Sequence, residues 1–280
     1  MELVTAYRPH VDELFKAESK KQLVTNTDYD WTGAHSIKIW KMTTAPMNDY
    51  SRNVTSNDPD SPASISRYGA LYDLNTATEE MLLKNDRSFI YNVDKMDQDE
   101  TGGVLAGAST LSRQLREVVV PEIDTYTYGV MTDNAGIIAT PKALEANTLY
   151  DEIIKGSEAL DEQEVPDTER VLVVTPATYT LLKQADIFDS TDIGAEARLQ
   201  GVVGIVDGMK VIKIPATRLP ENFGFMIAHP SATVAPVKLE DYTIHNDTVL
   251  SSGDIVTGRI VYDAFVLDNK KTGIYYQSLA

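Results

Sequence analysis

Apolar and polar positions divide this chain into short elements. Val11, Leu14 and Phe15 fall on one face of a helix over 9–21, with Pro9 near the first turn, where proline is tolerated. Its isolation from the next element marks it as an arm. Ser36–Lys41 alternates as a strand does, and strand character returns at Tyr68–Leu74 and Ser88–Val93. Between them, residues 43–66 hold Pro46, Pro59 and Pro62, many Asn, Asp, Ser and Thr, and few large apolar groups. A polar connection of that length is uncommon in a compact domain.

The longest helical pattern runs from Thr101 to about Met131, with Val104, Ala108, Leu111, Leu115 and Val118 as one apolar stripe directed at the core. Pro121 should kink or end it, because proline lacks a backbone donor and clashes one turn back. Thr140-Pro141 predicts a second helix through Leu144, Tyr150, Ile153, Ile154 and Leu160. Arg170–Val174 reads as a buried strand, and Thr175-Pro176 opens a third helix through Tyr179, Leu181 and Leu182. Val202–Ile214 is a hairpin turning at Asp207-Gly208. The end predicts another hairpin, Ile255–Leu267 and Ile274–Tyr276, turning over 268–273. The fold class is α+β.

Charge removes some partners. Of 280 residues, 42 are acidic and 25 are Lys or Arg, a net charge of -17. A surface this acidic repels phosphate backbones, so the chain as a whole is a poor nucleic-acid binder. There is no cysteine, which excludes disulfides and thiolate metal sites. No apolar run approaches the roughly 18 residues needed to cross a bilayer, and no secretory signal pattern opens the chain.

The motifs of catalysis do not appear. His10, His35, His229 and His245 share no metal-ligand spacing and read as surface or turn residues. Gly201-Val202-Val203-Gly204 lacks the Lys-Ser/Thr of a phosphate loop. Asp94, Asp97, Asp99 and Glu100 lack the spacing of a calcium loop, and read as carboxylates favoured by the dipole at a helix start. No catalytic, cofactor-binding or metal-binding residue is assigned.

An isolated arm, a long polar extension and one long helix between strands fit an assembly subunit, because such projections bury surface only when neighbours supply it. Trp40, Tyr50, Arg52, Arg67 and Tyr68 flank the extension, and aromatic and arginine residues are enriched at interfaces. These five are the candidate inter-subunit contacts.

The order of segments resembles the tailed-bacteriophage major capsid proteins of the Hong Kong 97-type fold. Asp49-Tyr50-Ser51-Arg52 is similar to that family's extended-loop segment. Asp86–Phe89 and Val93–Thr101 are similar to the run entering its spine helix, and Val119–Asp124 to the end of that helix. Arg170–Pro176 with Tyr179 and Leu182 resembles the strand and helix of its axial domain, and Ala264–Leu267 with Gly273–Tyr275 its C-terminal strands.

The resemblance implies an N-terminal arm over 1–30, an extended β-hairpin loop with flanking strands over 31–95, and the spine helix of the peripheral domain over 96–135. It implies an axial domain over 136–235 and C-terminal strands over 236–280 returning to the peripheral domain. It further implies a homo-oligomer of hexamers and pentamers in an icosahedral shell, a portal protein, and packaged DNA held without sequence-specific binding. The expected location is the virion, with assembly in the host bacterial cytoplasm and no membrane partner. Some family members cross-link through an extended-loop lysine; residues 42–66 contain none, so cohesion is expected to be non-covalent. The arm begins at Met1, so the expected scaffold is a separate protein. An encapsulin-type compartment shell shares the fold and is the nearest alternative; a carboxylate-based hydrolase is the alternative of another class.

Overall fold

The structure is a computed structural model that describes residues 18–26, 29, 36–50, 52, 67–69, 71–74, 76–100, 107–185, 202–246 and 252–280. The chain separates into two compact units, Gly33–Leu82 and the remainder. The first nine residues of the expected arm helix lie outside the described residues; Lys21–Leu23 form a single 3₁₀ turn.

In the smaller unit, β1 (Ser36–Met42) pairs antiparallel with β2 (Thr76–Leu82), in a register that sets Trp40 opposite Thr78 and Ile37 opposite Met81. The strand expected at Tyr68–Leu74 is not formed. Residues 67–69 instead make a turn in which Gly69 has φ +85, against the Asn48 side chain. Pairing begins only at Thr76, in a segment rich in helix formers. Its partner strand overrides that propensity: Lys41 meets Glu79 at 2.9 Å and Lys38 meets Glu80 at 3.9 Å across the pair.

In the larger unit, β3 (Asn85–Asp94) leads into α1 (Lys95–Glu100). The Asp94 carboxylate accepts from the Met96 N–H at 2.8 Å and Asp97 lies in the first turn, whereas Asp99 and Glu100 fall at the other end of this short helix. The long helix comprises α2 (Gly107–Gln114), a π turn (Leu115–Val119) and α3 (Val120–Asp133). Its expected start at Thr101, with Val104, lies outside the described residues. Pro121 neither ends nor breaks it. The Val120 N–H reaches back to the Leu115 carbonyl, and this wider turn accommodates the proline ring that would clash with the carbonyl four residues before it. The extra residue also moves the buried face. Val119 and Ile123 are buried, Leu111 and Leu115 are half-buried, and Ala108 and Val118 are exposed, so the expected stripe is not the core face.

β4 (Ile137–Ala139) follows, then an irregular stretch and α4 (Leu149–Asp161). The second helix therefore starts nine residues after Thr140. Thr140 stays extended because its carbonyl accepts from Gln277 Nε2 at 2.7 Å, and the Lys142 N–H bonds to the Ser278 carbonyl. The residue before a proline is also steered away from helix. β5 (Val171–Val174) and α5 (Pro176–Gln184) form as expected, with the Thr175 hydroxyl accepting from the Thr178 N–H at 3.1 Å. The hairpin of β6 (Val202–Val206) and β7 (Met209–Lys213) turns at Asp207 and Gly208, whose φ values of 49 and 73 suit the twist of a two-residue turn.

The rest comprises β8 (Phe223–Ala228), β9 (Thr233–Val234), β10 (Val237–His245), β11 (Gly253–Tyr262), β12 (Phe265–Val266) and β13 (Ile274–Ser278). One sheet has the order β10-β11-β3; a larger mixed sheet has the order β4-β13-β8-β5-β7-β6. The expected terminal hairpin is therefore not formed. β11 and β13 lie in different sheets, and β13 inserts between β4 and β8, where its apolar face completes the core. The run 236–280 is divided among three sheets, because β12 pairs with β9 in a separate two-stranded one.

The six-stranded sheet is buried on both faces, which explains why its strands read as continuous apolar runs. Val171 and Val173 pack with Met226, Tyr128 and Met131 of α3, and Val24. Leu172 and Val174 pack with Phe225 and Ile227 under Leu149, Ile153 and Leu160 of α4 and Leu182 of α5. On α4, a Cβ at Gly156 would lie 2.8 Å from Ile227 and 2.9 Å from Tyr275, so glycine permits that close approach.

Candidate functional site

The five candidate contacts lie on the hairpin unit and all are exposed. Trp40 sits on β1 and is 70% exposed, on the same face as Met42 at 69%. Tyr50 and Tyr68 come together: their rings meet edge to face with centroids 5.2 Å apart, and the Tyr68 carbonyl accepts from Asn48 Nδ2 at 3.3 Å. Arg52 and Arg67 are exposed beside these tyrosines in sequence. Most of the intervening segment, including residues 53–66, lies outside the described residues. Of the fourteen large hydrophobic side chains exposed among the described residues, nine lie between Trp40 and Leu82.

Sequence reasoning missed the polar cluster that fixes β3 and the residue before it. Asp263, 3% exposed, accepts from the Lys84 N–H at 2.8 Å and from the Tyr126 hydroxyl at 2.7 Å. Glu122 accepts from Arg87 Nε at 2.8 Å and from the Tyr262 hydroxyl at 3.1 Å. Burial, with the Glu122 charge, pushes the Tyr262 hydroxyl up to about 12; burial, then the bond to Asp263, raises Tyr126. Arg259 grips Asp86 with two nitrogens, and that bond holds the Asp86 carboxyl below its ordinary value. One signal was present: Asp263 is a lone carboxylate within Ile260–Leu267, and a carboxylate in an apolar run requires partners. Above the cluster, Phe89, Val118, Ile123 and Ile260 line a groove of about 200 Å³, with Arg87 and Glu122 on its rim.

Two of the four histidines, His229 and His245, are among the described residues. His229 is buried, not a surface residue; its Nδ1 faces the Ser231 hydroxyl at 2.7 Å, and burial lowers its pKa. His245 lies near the Thr257 hydroxyl, and His10 and His35 lie outside the described residues. Among the described residues, no group of three His, Asp or Glu side chains is placed to hold a metal ion, and no helix is long and apolar enough to cross a membrane. What the arrangement does chemically is position segments: polar pairs anchor β3 against α3 and β11, and apolar groups project from the hairpin.

The family model for phage capsid protein matches residues 87–277. The chain belongs to the phage capsid protein family. It is a structural protein of a bacteriophage virion, a capsid subunit. Solved structures agree on the Hong Kong 97-type fold. A chain from Mycobacterium phage Che8 superimposes with a TM-score of 0.75 at 18% identity, covering 98% of this chain and 96% of that one. The capsid of Cyanophage P-SCSP1u gives 0.71 at 14% identity, covering 99% and 93%. The mature capsid of bacteriophage PhiM1 gives 0.69 at 14% identity, covering 100% and 92%. No curated protein matches this chain. The family match favours a phage shell over both the compartment shell and the hydrolase.

Proposed function

We propose that this capsid subunit assembles into hexamers and pentamers that close an icosahedral shell around double-stranded DNA, and that the hairpin unit lies over a neighbouring copy. The observation that carries this reading is the concentration of exposed apolar side chains on that hairpin. Trp40, Tyr50, Arg52, Arg67 and Tyr68 are its contact residues. The six-stranded sheet is the core of the axial domain. β3, β10 and β11 with the long helix form the peripheral domain, and residues 1–30 are the N-terminal arm. Cohesion is non-covalent. A scaffolding protein and a portal protein complete assembly in the host bacterial cytoplasm. The subunit's role is structural rather than enzymatic, and its charge of -17 disfavours tight contact with the phosphates of packaged DNA.

Sedimentation and negative-stain microscopy of the chain, expressed with its scaffold, test the reading. Closed particles or rings are expected. Trp40→Ala combined with Tyr50→Ala should remove them while circular dichroism stays unchanged. A monomer at every concentration with scaffold present would overturn the proposal.

A further inference from the structure

A second surface feature stands apart from the hairpin. In a chain of charge -17, two segments bring ammonium groups to one aromatic ring. Lys183 lies over the Tyr179 ring with its Nζ 5.0 Å from the centroid, and Lys213, at the end of β7, approaches the same ring at 5.3 Å. Lys20 joins them, donating to the Lys213 carbonyl at 3.2 Å. Among the described residues, neither Lys183 nor Lys213 has a carboxylate within salt-bridge distance. The ring's π face attracts cations but does not neutralise them. Burial, then the neighbouring Lys213 charge, lowers the Lys20 pKa. Lys183 and Lys213, held together in this way, gain most from an anion supplied from outside.

We infer that the Lys183–Tyr179–Lys213 cluster receives an acidic segment of a second copy of this chain, the loop between α4 and β5. That loop exposes Asp161, Glu162, Glu164, Asp167 and Glu169. It is held rigid from within. Arg170, 3% exposed, donates to the Val165 and Pro166 carbonyls and reaches Asp161 at 2.7 Å. Within one subunit the two surfaces lie at opposite ends of β5. The loop precedes Val171, whereas Lys213 pairs with Val174 at the other end of β5, about 10 Å of strand away. A contact between different patches on successive copies is head-to-tail, the kind that closes rings. A nucleic-acid phosphate is a poorer occupant, because the surrounding charge is strongly acidic. The inference rests on the shell reading above and gives its rings a specific lateral contact.

Charge reversal tests it at low salt. Lys183→Glu with Lys213→Glu makes both surfaces acidic; Glu162→Lys with Glu164→Lys cancels most of the loop's negative charge and sets two cations opposite the lysines. Each folded variant alone should lose the fast-sedimenting fraction, and a single chain carrying all four changes should regain it. Normal assembly of either reversed variant would overturn the inference and leave the shell reading standing. So would failure of the four-fold variant to recover while circular dichroism shows it folded. Normal assembly of Lys183→Glu with Lys213→Glu, together with lost binding of a fluorescent oligonucleotide, would show a phosphate site instead. If the unaltered chain does not assemble, the shell reading falls and this inference with it.

Discussion

The Arg218 guanidinium donates to the Asp124 carboxylate at 2.8 Å, with both side chains almost wholly out of water. Ser19 adds a hydroxyl bond to the other carboxylate oxygen at 2.6 Å. The pair ties α3 to the segment after β7 and to the chain near its N-terminus. Removing one partner strands a buried charge, so Arg218→Ala or Asp124→Ala should cost about 3–5 kcal/mol. Ser19→Ala should cost about 1 kcal/mol. Chemical denaturation of the subunit measures both, and equal small losses for all three would contradict the buried network.

The π turn makes a prediction about helix faces. Ile123 is buried after the turn, whereas Leu111 is half-exposed before it. Ile123→Ala should cost about 2–5 kcal/mol, and Leu111→Ala about 1 kcal/mol in the unassembled subunit. Periodicity alone directed Leu111 at the core, because a sequence window carries no mark of the extra residue that a π turn inserts.

Legibility followed the range of the forces involved. β5, the Thr175 cap and the β6–β7 turn are set by neighbours in sequence, and all were readable. β2 depends on a partner more than thirty residues away, so local propensity misplaced it; β13 was placed correctly, but its partners β4 and β8 were not legible. Trp40, Tyr50 and Tyr68 were legible as exposed aromatics, whereas Glu122 and Asp263 gain their roles only when β3, α3 and β11 meet.

Gly258 shows a long-range requirement of that kind. It pairs with Phe89, and a Cβ there would lie 2.2 Å from the Phe89 ring, which stacks between Tyr91 and Tyr242. Gly258→Val should displace that ring and cost about 1–3 kcal/mol by overpacking. Near-ultraviolet circular dichroism should change with the loss of stability; an unchanged aromatic spectrum would argue against the stack.

Acid should weaken the α4 face. Hydrogen bonds from Lys142 and Lys155, at 2.8 and 2.9 Å, hold the Glu152 carboxyl below its ordinary value of 4.5. A group whose folded value is depressed stabilises the fold above its unfolded value, and that contribution disappears as pH falls through the folded one. Stability should therefore be level above pH 4.5 as far as Glu152 is concerned, and fall below it. Glu152→Gln should flatten that fall, as thermal melts between pH 3 and 6 would show; an unchanged slope would remove Glu152 as a source.

The hairpin tip separates folding from assembly. Its described part carries exposed Met47, Tyr50 and Tyr68, groups that add little to either buried core of the six-stranded sheet. Replacing residues 46–64 with a short Gly-Ser linker removes Tyr50 and Arg52 and leaves β1 and β2 intact. Loop-closure entropy changes only slowly with length, so the replacement itself should not unfold the chain. Assembly should fail, because each copy loses the same contact and the loss recurs around the shell. Circular dichroism would report the fold and sedimentation the particles. Normal particles from the shortened chain would remove the tip from the interface, and an unfolded chain would place it in the core instead.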